Sequence, residues 1–113
     1  MKKLSLFILS SVAIGWLASP ALAEDITETW DRQCKKCHGA DGSGQTKMGK
    51  KLSALDYTDP AVQSELTDEE MFRVIKEGAV NEKGKTIMKP LGEEMTDEEI
   101  WEFIPLIRGF AKD

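Results

Sequence analysis

The segment Trp30-Asp31-Arg32-Gln33-Cys34-Lys35-Lys36-Cys37-His38-Gly39 decides how the rest of the chain reads. It holds both cysteines of the sequence, three residues apart, and the one histidine directly after them. Side chains three apart on a helix lie about one turn apart on the same side, so both sulfurs can reach one flat ligand. C-x-x-C-H is the pattern of covalent haem attachment, in which the sulfurs add to two porphyrin vinyl groups and the adjacent imidazole becomes an axial iron ligand. Three simpler uses of these residues fit less well. A thiol-disulfide pair belongs with a βαβ pattern, which is missing here. A structural zinc takes four ligands, and two cysteines with one histidine fall one short. A disulfide between residues this close closes too small a loop to stabilise much.

Upstream of the motif, Lys2 and Lys3 precede a mostly apolar stretch from Leu4 to Ala18, and Pro20 precedes the small-x-small cleavage pattern Ala21-Leu22-Ala23. Residues 1–23 read as a cleaved export signal and residues 24–113 as a single domain. The apolar stretch carries Ser5, Ser10, Ser11 and Gly15 and falls short of the ~20 residues of a spanning helix. No stable membrane span is expected after cleavage. The expected location is the periplasm, or outside the cell where there is no outer membrane.

Cleavage removes two lysines and no acids, so the net charge moves from −5 to −7 over the remaining 90 residues. So acidic a protein repels nucleic-acid phosphates and anionic membranes, and neither is an expected partner. Hydrophobic residues make up 41% and charged residues 31%, which places the chain among folded globular domains. A domain this short buries a limited core and commonly needs a staple, which a covalently held ring supplies.

The mature chain opens with Glu24 to Cys37, where Ile26, Trp30 and Cys34 recur every four residues and predict one amphipathic helix. Gly39, Gly42, Gly44 and Gly49 mark an irregular loop. Asp59-Pro60 predicts a capped helix to about Glu65. Thr67-Asp68-Glu69-Glu70 and Thr96-Asp97-Glu98-Glu99 are capping boxes, each flanked by a hydrophobic staple, Leu66 with Met71 and Met95 with Ile100. Gly78 is placed to end the first of these helices, and Gly84 to Gly92 reads as a loop. The last helix is expected to bury Ile100, Phe103, Ile104, Ile107 and Phe110, with Trp101 on its flank and a kink at Pro105. No segment alternates as a strand does, so the fold class is all-α.

Taken with these residues, the chain resembles the class I c-type cytochromes, the small monohaem family. The resemblance rests on Trp30, on Cys34 through Gly44, on a methionine-containing loop and on Thr96 through Trp101. It implies a cytochrome c-like fold: three main helices plus short helices and loops around one covalently bound haem c, with the N-terminal helix crossing the C-terminal one. Trp30 and Trp101 are then expected near that crossing. The implied role is single-electron transfer between periplasmic redox partners rather than catalysis.

His38 is the only histidine, so a thioether is the next common choice for the sixth iron ligand. Met71 and Met95 already serve staples, and Met48 lies in the glycine-rich loop close to the proximal side. Met88, followed by Pro90, resembles the family's distal ligand segment, although the usual Met-Pro is here Met88-Lys89-Pro90. The alternative is an open or lysine-ligated iron, which would make the protein a haem enzyme or a gas-binding sensor. Relatives often place a proline whose preceding carbonyl orients the histidine; none occurs between Gly39 and Tyr57, so another carbonyl must serve. Leu52, Tyr57, Phe72, Ile75 and Ile87 are candidate pocket residues, each also explicable as ordinary core. Lys35, Lys36, Lys47, Lys50, Lys51, Lys83, Lys85 and Lys89 crowd the motif and the loops near it. They suggest a basic rim for an acidic redox partner, although solvated loop charges explain them equally well.

Overall fold

Asp25 starts the first helix by accepting the Thr27 amide at 3.0 Å, and α1 runs Ile26–Gln33 in the computed structural model, which describes residues 25–112. The export signal expected at residues 1–23 lies outside the described residues. The helix does not continue to Cys37 as the periodicity suggests. Cys34 adopts φ −117°, well away from the helical value of about −63°, and the chain resumes as a separate short helix α2, Lys35–His38. Gly39, at φ +81°, then turns the backbone out of α2.

The glycine-rich loop is followed by a helix that the sequence reading leaves out, α3, Lys47–Leu52. The Thr46 hydroxyl caps it by accepting the Gly49 amide at 2.8 Å. A glycine inside so short a helix argues against it in sequence, yet a Cβ on Gly49 would strike the Cys37 and Gly44 carbonyls. The glycine therefore lets α3 lie directly on the backbone of the cysteine motif.

Helix α4, Pro60–Glu65, begins as expected with Asp59 as cap and Pro60 in the first turn. Helices α5, Asp68–Glu77, and α6, Asp97–Arg108, both form complete capping boxes. Gly78, at φ +76°, ends α5. Between α5 and α6 lies a small antiparallel hairpin, β1 Ala79–Val80 and β2 Thr86–Met88, with Ala79 opposite Met88. Part of the expected loop from Gly84 to Gly92 is thus a strand. It is too short to show alternation, and its turn is closed by the Asn81 side-chain oxygen, which accepts the Lys83 and Lys85 amides at 3.0 Å each.

Helix α6 runs through Pro105 and is continuous from Asp97 to Arg108. The carbonyl that loses its partner belongs to Trp101, four residues back. Pro105 and Trp101 are both exposed, so water can take the place of the missing N–H.

Among the described residues the core gathers Trp30 from α1, Met71 and Ile75 from α5, Tyr57 and Leu91 from connecting segments, and Ile100, Phe103, Ile104 and Ile107 from α6. The all-α class holds, with α1, α5 and α6 the longest helices and both α1 and α5 packed on α6. Trp30 is buried as expected. Trp101 is not at the crossing: it is 42% exposed and stacks on Phe72 with ring centroids 4.5 Å apart. Phe110 falls beyond the end of α6 and is half-buried, 4.9 Å from the Trp30 ring.

A polar lock closes the other end of α6. The buried Gln63 amide donates to the carbonyls of Tyr57 and Ile107, both at 2.8 Å. Arg108 donates to the carbonyls of Gln63 and Leu66 at 2.6 Å and pairs with Asp68 at 2.9 Å. No helix among the described residues is long and apolar enough to cross a membrane.

Candidate haem site

The motif sits on backbone with little freedom to move. A helix end leaves its last carbonyls without partners, and here the three at the end of α2 are met from outside it. The Cys37 carbonyl accepts the Thr46 hydroxyl at 2.7 Å, the His38 carbonyl accepts the Gly44 amide at 2.8 Å, and the Gly39 carbonyl accepts the buried Trp30 indole N–H at 2.9 Å. Trp30, the glycine loop and the cap of α3 thereby fix the orientation of the two cysteines and the histidine.

His38 lies between two aromatic rings, stacked on Tyr57 at 4.8 Å and tilted against Trp30 at 5.9 Å. Its Nδ1 is 3.4 Å from the Leu55 carbonyl. With the proton on Nδ1 directed at that oxygen, Nε2 is left with its lone pair for a metal. Leu55 thus supplies the orienting carbonyl that sequence could not identify. Burial holds the His38 imidazole below its ordinary pKa, partly opposed by the Leu55 hydrogen bond. The neutral, ligating form is therefore favoured.

Burial pushes the Cys34 thiol up to about 12, with neighbouring Cys37 adding to the effect. Exchange-active thiols have lowered pKa values, so Cys34 has the opposite character to a thiol-disulfide nucleophile. Burial, and then Cys34, likewise push the Tyr57 phenol up to about 12, and the ring faces its neighbours uncharged. Among the described residues no group of three or more His, Cys, Asp or Glu side chains is placed to hold a metal ion.

Cys34, Cys37, His38 and Met88 all line one cleft of about 480 Å³, within the range of roughly 300–1,000 Å³ typical of small-molecule and cofactor sites. Its remaining walls are largely apolar, from Leu52, Ala54, Leu55, Tyr57, Val74, Ala79, Ile87 and Leu91. A deeper recess of about 20 Å³ extends inward between Trp30, Ile75, Met95, Phe103 and Ile107. Thiols, imidazole, thioether and apolar walls are the donor set and surface that suit a haem.

Residues 21–104 match the family described as cytochrome c oxidase, cbb3-type, subunit III. The chain belongs to this family of c-type cytochromes. Among solved structures it is similar to one titled KustC0563 c-type cytochrome, with 34% identity, a TM-score of 0.67, and coverage of 78% of this chain and 99% of that one. It is also similar to a tyrosine-to-phenylalanine mutant of Kustc0563, with 33% identity, a TM-score of 0.62, and coverage of 74% and 95% respectively. No curated protein matches the chain. As a c-type cytochrome it binds haem and serves as a haem-based electron carrier.

Within this cytochrome the pocket candidates divide. Leu52, Tyr57 and Ile87 line the cleft, and Ile75 joins Tyr57 in the recess. Phe72 lines neither and stacks on Trp101 instead. Met95, assigned in sequence to a staple alone, also reaches the recess beside Met88. Leu91, Val74 and Ala79 line the cleft without any signal in the sequence pattern, because their positions depend on how the hairpin folds back on α5.

The Met88 segment is fastened to α5 by its backbone. The Leu91 amide donates to the Ile75 carbonyl at 3.0 Å and the Gly92 amide to the Lys76 carbonyl at 3.1 Å. Gly78 permits this approach: a Cβ there would lie 2.5 Å from the Met88 carbonyl and 2.8 Å from the Pro90 nitrogen.

Proposed function

We propose that the protein is an exported class I c-type cytochrome that carries single electrons between periplasmic redox partners. Cys34 and Cys37 would hold one haem c through thioether bonds, and His38 and Met88 would be its iron ligands. The observation that carries this reading is that these four side chains, scattered over 55 positions of sequence, line one apolar-walled cleft. When bound, haem supplies a one-electron Fe(III)/Fe(II) couple.

The chain's own residues do the rest. The Leu55 carbonyl and the Tyr57 and Trp30 rings hold the His38 imidazole in one orientation. The hairpin and the Leu91 and Gly92 hydrogen bonds carry Met88. Leu52, Ile87 and Leu91 exclude water, and low polarity around the site favours the less charged, reduced state. With His38 and Met88 both on the iron, a substrate would find no coordination site, and the protein would act as a carrier rather than an enzyme.

Lys36 and Lys89 line the cleft, and Lys35, Lys47, Lys50, Lys51, Lys83 and Lys85 are exposed. They support a basic rim that steers an acidic docking patch on the partner. The family description, a subunit of a cytochrome c oxidase, supports a place beside a larger electron-transfer protein.

The test is the visible spectrum of the holoprotein in both oxidation states, before and after Met88→Ala. The reading requires a low-spin ferric spectrum with a weak far-red sulfur-to-iron band that Met88→Ala abolishes. A high-spin ferric protein whose ferrous form binds carbon monoxide rapidly would instead make it a gas-binding sensor or a haem enzyme with an open sixth position.

A further inference from the structure

We propose that Glu94 is a positioning residue whose carboxylate clasps the Met88 segment to the end of α1. The proposal rests on the reading of Met88 as distal ligand and adds a residue that controls how firmly that ligand is held. One carboxylate oxygen of Glu94 accepts the Gln33 side-chain amide at 3.1 Å, and the other pairs with the Lys89 ammonium at 3.1 Å. Gln33 immediately precedes Cys34, and Lys89 immediately follows Met88. Both line the haem cleft. A single side chain therefore joins the residue next to the first cysteine to the residue next to the methionine.

The other anchors of the Met88 segment run to α5 and the hairpin, through Leu91, Gly92 and Ala79. The Gln33 to Glu94 bond spans 61 positions and ties that segment to the cysteine half of the site. Without it, the segment can swing on its α5 attachment and draw Met88 away. The pair is half-exposed, with Lys89 at 58% and Glu94 at 49%, so its strength is modest and screened by salt. The clasp therefore slows opening of the distal side in a graded, ionic-strength-dependent way.

An external ligand can replace the thioether only when the segment opens, which makes ligand entry a measure of the clasp. The experiment follows imidazole binding to the ferric holoprotein by stopped flow, at low and high salt, for wild type, Glu94→Ala and Glu94→Gln. Amide hydrogen exchange at Leu91 and Gly92 is recorded in parallel, and thermal unfolding controls for global damage. Glu94→Ala is expected to speed imidazole entry about three- to ten-fold at low salt and to raise exchange at both amides. The wild-type rate rises with salt, and the Glu94→Ala rate does not. Glu94→Gln, which can keep the Gln33 bond but not the ion pair, falls between the two. Imidazole entry within about two-fold of wild type in Glu94→Ala, with unchanged exchange, overturns the clasp. A wild-type protein without the sulfur-to-iron band contradicts the Met88 assignment instead, and the exchange at Leu91 and Gly92 then decides the clasp by itself.

Discussion

At the scale of single residues, the site depends on a few backbone groups as much as on the ligands. The Trp30 indole N–H meets the carbonyl of Gly39, one residue beyond His38. Trp30→Phe keeps most of the ring and loses that bond, leaving the buried Gly39 carbonyl with only the longer Gly42 amide bond of 3.3 Å. It should lower unfolding stability by about 1–2 kcal/mol in urea titration; an unchanged midpoint would show that the indole only fills space. Gly49→Ala is more severe, because its Cβ would collide with the Cys37 carbonyl. The expected outcome is a large fall in the yield of haem-bound protein, read from the haem absorbance per polypeptide, whereas normal loading would mean that α3 can shift. Cys34, Cys37 and His38 could be singled out in the sequence because their spacing itself forms the motif. The Leu55 carbonyl was not, since every residue has a carbonyl and only the folded loop selects one. Trp101 misleads for a related reason: its aromatic character suggests core, but its place in α6 puts it on the outer face against Phe72.

Among the elements, the helices that announce themselves by local chemistry are the ones that sequence predicts well. Thr67 with Glu70 and Thr96 with Glu99 satisfy the first amides of α5 and α6 within four residues, so no tertiary context is needed to see them. Helix α3 and the hairpin are invisible for the opposite reason, since a six-residue helix containing Gly49 and a two-residue strand gain their stability from what they pack on. Pro105 tests this view of α6. Pro105→Ala restores an N–H opposite the Trp101 carbonyl on the exposed face, so it should stabilise the protein by about 1 kcal/mol or more. A loss of stability would mean that Pro105 sets a bend the core requires. Gln63→Leu works in the other direction by taking the amide donor from the Tyr57 carbonyl and the link between α4 and the Ile107 carbonyl, while Arg108 keeps the Gln63 and Leu66 carbonyls and Asp68. A cost of about 2–3 kcal/mol is expected by denaturant unfolding; a neutral effect would show that water replaces the amide.

For the whole molecule, two expectations follow from the sequence: an acidic chain whose lysines crowd the motif and the loops near it, and a small domain that would rely on a prosthetic group for part of its interior. Lys36→Glu combined with Lys85→Glu should slow reduction by an acidic partner about ten-fold at low salt and by much less at high salt. Equal rates at both salt concentrations would reject a lysine rim. The second expectation reaches further. The cleft of about 480 Å³ is lined by the motif, α5 and the hairpin, so a group filling it would touch all three. The most direct measurement is the denatured mass of the mature protein purified from cells with a working haem-attachment machinery. The account predicts the mass of residues 24–113 plus one haem, with the increment lost in the Cys34→Ala, Cys37→Ala double variant. A colourless protein with the mass of the polypeptide alone would contradict it.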